Sequence, residues 1–110
     1  MAELQIGKIG LEGFTLNLVS ADSGGDSFRN TSNDNVLFLE NTGASEVTVT
    51  IVAQKKCNHG VLHDKEITVP AGEQVAVADI ERSRFNDDNN MVHVTYSDAT
   101  DILAGVGYTD

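Results

Sequence analysis

Residues 46–53 read E-V-T-V-T-I-V-A. Val47, Val49 and Ile51 fall on one side of an extended chain, and Thr48 and Thr50 on the other. Side chains alternate with period two only in a strand. β-Branched residues on both faces suit a pleated, half-buried surface. The stretch therefore predicts a strand with one face in a core. Residues 91–96 repeat the pattern, with Val92, Val94 and Tyr96 on one side and His93 and Thr95 on the other. His93 is then an outward, exposed strand histidine.

Working outward, Phe14, Leu16 and Leu18 alternate with Thr15 and Asn17. Residues 36–39 form a continuous apolar run, the pattern of a central strand buried on both faces. Residues 66–69 and 74–78 flank Pro70-Ala71-Gly72-Glu73, a turn signal. A last strand is expected at 102–108, although Gly105 and Gly107 weaken it. Between these runs, Asn41-Thr42-Gly43-Ala44-Ser45 joins two strands at hairpin distance. Residues 85–90 are too polar to continue a strand. The longest gap, 20–35, is rich in Ser, Gly, Asp and Asn and reads as a loop.

No stretch sustains an apolar spacing of three and four, so helix is confined to a single turn near 79–85 or 6–11. Six to eight short strands with frequent turns predict an all-β fold: an antiparallel β-sandwich, jelly-roll or immunoglobulin-like, or a small barrel. Residues 1–110 form one domain. Residues 1–12, with Leu4, Ile6, Ile9 and Leu11, read either as an extended N-terminal arm for a neighbour or as an ordinary first strand.

The composition limits the partners. Seventeen acidic residues against seven basic ones, scattered along the chain, give a formal charge of −10. Such a field repels nucleic acid, whose binding depends on neutralising phosphates. It also disfavours anionic membranes. The charge suits a soluble protein or one steered to a basic surface. Cys57 is the single cysteine, which excludes an intrachain disulfide and points to a reducing compartment. The first residues lack the basic and apolar regions of a secretion signal, and no apolar run has the length of a membrane span. Synthesis in a cytoplasm is the expectation.

Candidate chemistry is sparse. Cys57, His59, His63 and Asp64 offer zinc-type donors in one short segment, but the second cysteine of a usual structural site is missing. A polar loop is the simpler reading. Neighbouring Lys55 and Lys56 offer Cys57 a route to a lowered thiol pKa, but an inert surface or half-buried thiol is the favoured reading. Asp22 with Asp26, and Asp87-Asp88-Asn89-Asn90, supply oxygen ligands of the kind calcium takes, without the twelve-residue loop pattern. Asp and Asn are also favoured in turns because their side chains bond nearby backbone. There is no Gly-x-Ser-x-Gly elbow and no phosphate-cradling loop with lysine. No catalytic residue and no cofactor is assigned.

Three sets of residues carry a resemblance. The first is Gly25-Asp26-Ser27-Phe28-Arg29-Asn30 followed by Val36-Leu37-Phe38-Leu39-Glu40-Asn41. The second is Val47-Thr48-Val49-Thr50-Ile51 leading to Ile67-Thr68-Val69-Pro70-Ala71-Gly72. The third is Phe85-Asn86, then Val92-His93-Val94-Thr95-Tyr96-Ser97. In that order, across most of residues 14–108, they resemble small tailed-bacteriophage proteins encoded among the head genes. The resemblance is one of order, not of an enzyme signature. Residues 55–64 depart from it in their charge and their Cys and His, and residues 81–84 (E-R-S-R) stand where an apolar lead-in is expected. The resemblance implies a virion structural protein, in first place a capsid decoration (cement) protein on the head surface. Its partner would be the major capsid protein, and it would be a homo-oligomer, a trimer where it sits on three-fold positions. Alternatives are a neck or tail component of the same particle and a carbohydrate-binding β-sandwich module. The last needs an aromatic platform that a chain with no Trp and two Tyr supplies poorly. A small metal-dependent enzyme built on Cys57, His59 and His63 is a further alternative.

Overall fold

The computed structural model describes residues 2–4, 6–9, 18–30, 35–54 and 64–108. These form ten strands and one short helix: β1 Ala2–Glu3, β2 Ile6–Lys8, β3 Val19–Ser20, β4 Asp26–Arg29, β5 Asn35–Asn41, β6 Val47–Ile51, β7 Lys65–Val69, β8 Gln74–Val77, α1 Arg82–Phe85, β9 Met91–Tyr96 and β10 Ile102–Tyr108. None of the described helices is long and apolar enough to cross a membrane.

The strands lie in two sheets, ordered β1-β4-β9-β6-β7 and β2-β10-β5-β8, with β3 also on β10. The antiparallel pairs are nested: β6 with β7, β5 with β8, β4 with β9 and β3 with β10. This is one long hairpin rolled on itself, with β5·β10 and β6·β9 holding the roll together. The connectivity is that of a jelly roll. Among the described residues both sheets end in strands paired on one side only, so the fold is an open sandwich and not a closed barrel.

Periodicity explains the core. Val47, Val49 and Ile51 are buried while Thr48 and Thr50 are half-exposed, as the opening stretch predicts. Val92 and Val94 lie beside them in the same sheet, Leu37, Leu39, Ile102, Ala104 and Val106 come from the other sheet, and Phe28 joins the same core. Each Val, Leu, Ile or Phe among them, fully buried, contributes about 1.5–3 kcal/mol.

Several expectations need correction. Residues 42–46 do not make a hairpin: β5 and β6 belong to different sheets. The cause is Asn41, whose side chain turns inward at the end of β5 and is 0 % exposed. Its amide donates to the Ser45 and Val69 carbonyls at 2.7 and 3.1 Å, and its oxygen accepts from Gly43 N–H at 2.9 Å. The chain is thereby directed across the sandwich. The segment 20–35 is not a single loop. It contains β4, interior to its sheet, whose polar Asp26 and Asn30 hide a buried period of two around Phe28.

The run at 36–39 belongs to a central strand as expected, but only Leu37 and Leu39 are fully buried. Val36 and Phe38 are half-buried on the outer face. Gly105 and Gly107 do not weaken β10. They lie opposite Phe38 and Val36, and β10 has neighbours on both sides. The helical turn forms at α1, whereas residues 6–8 are strand. The alternation over residues 14–17 lies outside the described residues.

Within the N-terminal stretch, residues 2–4 and 6–9 are tied into the domain's own sheets rather than extended as an arm. β1 runs parallel to β4 and β2 parallel to β10, with Leu4 in the core between them. The rest of residues 1–12 lies outside the described residues.

Candidate functional site

Strand register gathers four connections at one end of the sandwich. Residues 21–25 are bonded there through Ala21 N–H to Ile102 O, 2.9 Å. Residues 42–46 and 97–101 are joined by Thr42 N–H to Asp101 O, 2.9 Å, and residues 70–73 by Asn41 N–H to Glu73 O, 3.0 Å. Ser97 accepts from Thr48 N–H at 3.0 Å. The loops thus form a cross-bonded rim. Gly43 sits so close to Asp101 that a β-carbon there would lie 2.7 Å from its Oδ2. Beside it is a hollow of about 260 Å³ lined by residues including Glu46, Asp98 and Asp101.

The charge of this rim is uniform. Its ionisable side chains are Asp22, Glu46, Glu73, Asp98 and Asp101, with Asp26 beneath them. No lysine or arginine occurs in these four connections. The described basic residues occupy the other end. Arg29 closes β4, Lys65 opens β7, Arg82 and Arg84 lie in α1, and Lys8 pairs in register with Tyr108 at the last turn of β10. Described basic residues that look scattered in sequence gather at one end in space, alongside Asp64, Glu66, Asp79, Glu81, Asp87 and Asp88, and leave the rim purely acidic.

Under the rim, Asp26 is 0 % exposed on the inner face of β4. Tyr96 lies on the inner face of β9, in line with Val92 and Val94, and its hydroxyl donates to Asp26 Oδ2 at 2.6 Å. Asp22 N–H reaches the same oxygen at 3.3 Å. Asp26 Oδ1 is buried with no hydrogen-bond partner. Burial, then the bond to Asp26, then the negative charges of Asp26 and Asp22 push the Tyr96 phenol far above its ordinary range. The phenol therefore stays protonated and remains a donor to Asp26.

The opposite end is built from amides. Asn30, 0 % exposed, donates to Ile80 O at 3.1 Å and to Asn86 Oδ1 at 2.9 Å. Asn35 donates to Asn30 Oδ1 at 2.8 Å, and Asn86 donates to Asn30 O at 2.7 Å. Beside this network, Asp87 accepts from Asn89 N–H at 2.8 Å and Met91 N–H at 3.0 Å, and pairs with His93 Nε2 at 2.6 Å. The His93 bond, foremost, and these backbone donors hold the Asp87 carboxyl below the usual carboxylate range. His93 is thus half-buried and bonded, not simply an exposed strand residue. Of the two calcium candidates, 87–90 is a turn stabilised by its own aspartate.

Of the zinc candidates, Cys57, His59 and His63 lie outside the described residues. Asp64 is exposed, and its Oδ1 accepts from Ala53 N–H at 2.7 Å across the mouth of the β6–β7 connection. Among the described residues, no group of three His, Cys, Asp or Glu side chains converges on one point. Sequence reasoning named Asp22 and Asp26 together but missed Tyr96 as their partner, because 70 residues separate Tyr96 from Asp26. Comparison with known proteins adds no relative: no family model, curated protein or solved structure matches the chain.

Proposed function

We propose that this chain is a structural protein of a tailed-bacteriophage particle, a decoration protein that binds the outer face of the head shell through the acidic end of its jelly roll. The observation that carries the proposal is the rim itself. Four connections are hydrogen-bonded into one surface, and all of its ionisable side chains are acidic. A rigid surface of one charge sign steers association with a surface of the opposite sign and fixes its register. Loops held on a packed scaffold are a usual place for recognition. Jelly rolls serve as capsid and lectin domains among other roles, so the fold is compatible with the reading but does not select it. The partner is the major capsid protein, contacted on a basic patch, and the module takes no part in chemistry. A homo-oligomer, a trimer at three-fold positions, follows from the symmetry of such a shell. The charge of −10 weighs against nucleic acid.

Co-sedimentation with empty head shells tests the proposal. Saturable binding at a fixed ratio to the major shell protein, weakening as salt rises through the screening range, is the expected result. The double variant Glu46→Lys, Asp101→Lys is expected to slow association about tenfold or more while leaving the fold intact. Binding at a single vertex, seen by electron microscopy of labelled particles, would make the chain a neck or tail component. No binding to any part of the particle would end the phage reading.

A further inference from the structure

Asp26 is the one described residue with a buried side-chain oxygen that nothing in the protein satisfies. A carboxylate only accepts hydrogen bonds. Both of its donors, Tyr96 Oη–H and Asp22 N–H, go to Oδ2, so the deficit is all on Oδ1. A buried, half-bonded carboxylate bears a desolvation penalty unless an opposite charge compensates it. Among the described residues none lies nearby: the connections at this end carry no lysine or arginine, and the described basic residues lie at the far end of the strands. Asp22 adds a second carboxylate four residues away, in the turn that bonds back to Asp26. The segment between them is Ser23-Gly24-Gly25, with Gly25 at φ 96°.

We infer that the turn at residues 22–26 is a divalent-cation site, with Asp26 Oδ1 and the Asp22 carboxylate as ligands and backbone carbonyls and water completing the shell. The all-oxygen donor set selects a hard cation. An irregular, glycine-containing turn suits calcium, which takes six to eight oxygens in loose geometry, better than magnesium, which demands a regular octahedron. With two carboxylates and no third acidic or imidazole ligand among the described residues, the affinity belongs at the weak end of the calcium range, a Kd of about 10⁻⁴–10⁻³ M. Tyr96 donates to Asp26 from beside the ligand oxygen and takes no part in coordination.

Tyr96 makes the site directly observable. The chain has no Trp, and its other tyrosine, Tyr108, closes β10 at the opposite end. Terbium(III), a calcium substitute, bound at Asp26 would be excited through Tyr96 and emit. Titration of the full chain with terbium is expected to give saturable emission on tyrosine excitation, competed away by calcium. Calcium alone is expected to raise the melting temperature by several degrees at about 100-fold over Kd. Asp26→Asn should abolish both effects. Tyr96→Phe should lose the emission yet keep the calcium-dependent rise in melting temperature, which separates a lost sensitiser from a lost site. The inference is overturned if the wild-type chain shows neither emission nor a calcium-dependent melting shift. Emission that survives in Asp26→Asn overturns it equally, because the ion would then be held elsewhere.

Discussion

Where β4 begins, Asp26 is buried beside Tyr96 with one oxygen unsatisfied. Just past its end, four residues later, Asn30 is buried in a network in which each amide answers another. The two side chains are nearly the same size and lie on the same inner face, with Phe28 between them. An amide carries donors and an acceptor and can close a network without net charge, whereas a carboxylate only accepts. One end of the strand is therefore complete within the protein, and the other is built around a charge that the protein leaves open. The contrast separates a part of the molecule that serves stability from a part available for binding.

The largest expected effect breaks the completed end. Asn30→Ala would strand Asn35, Asn86 and the Ile80 carbonyl, at a cost of about 2–3 kcal/mol set by the desolvation of those groups. Urea unfolding is expected to show a lower midpoint at unchanged slope. The matching change at the open end is milder. Asp26→Asn in calcium-free buffer removes an uncompensated charge and leaves Tyr96 an acceptor, so the loss is about 1 kcal/mol or less. A loss equal to that of Asn30→Ala would mean that Asp26, too, belongs to a closed structural network.

The smallest effect is set by pH. The folded Asp87 carboxyl is held low by His93 and by backbone donors, so the folded form favours ionisation more than the unfolded chain does. The stabilisation is present above the unfolded carboxylate value of about 3.9 and fades as pH falls through the lower folded value. For a pair in partial contact with solvent it amounts to about 0.2–1 kcal/mol. Unfolding midpoints of the wild type and of Asp87→Asn should differ at neutral pH and converge in strong acid.

Much of the architecture was legible wherever a strand alternates apolar and small polar residues. Residues 46–53 and 91–96 show their inner faces directly, and the helical turn near Phe85 was anticipated. Legibility failed where polar residues face inward. Asp26 and Asn30 made a core strand look like a loop, and Asn41 made a crossing between sheets look like a hairpin. Burial of these groups depends on partners far along the chain: Tyr96 for Asp26, Asn86 for Asn30 and Val69 for Asn41. A local pattern does not carry such pairings. The acidic rim was hidden for the same reason, since only strand register brings residues 22, 46, 73, 98 and 101 together. Within the candidate site, the aspartate pair was visible as turn chemistry, but its burial and its tyrosine were not.

The nested pairing of strands also governs how the chain reaches this shape. Its innermost rung, β6 with β7, joins residues close in sequence, whereas the outermost, β3 with β10 together with β2 against β10, joins the first residues to the last. Closing those distant rungs demands the largest loss of chain entropy, so topologies of this kind fold slowly, over about milliseconds to seconds. A ribosome must release residues 102–108 before β2 and β3 have a neighbour, and until then the growing polypeptide presents bare strand edges. Closure of the roll therefore has to wait for the seven residues of β10, which makes that strand the latch of the two sheets.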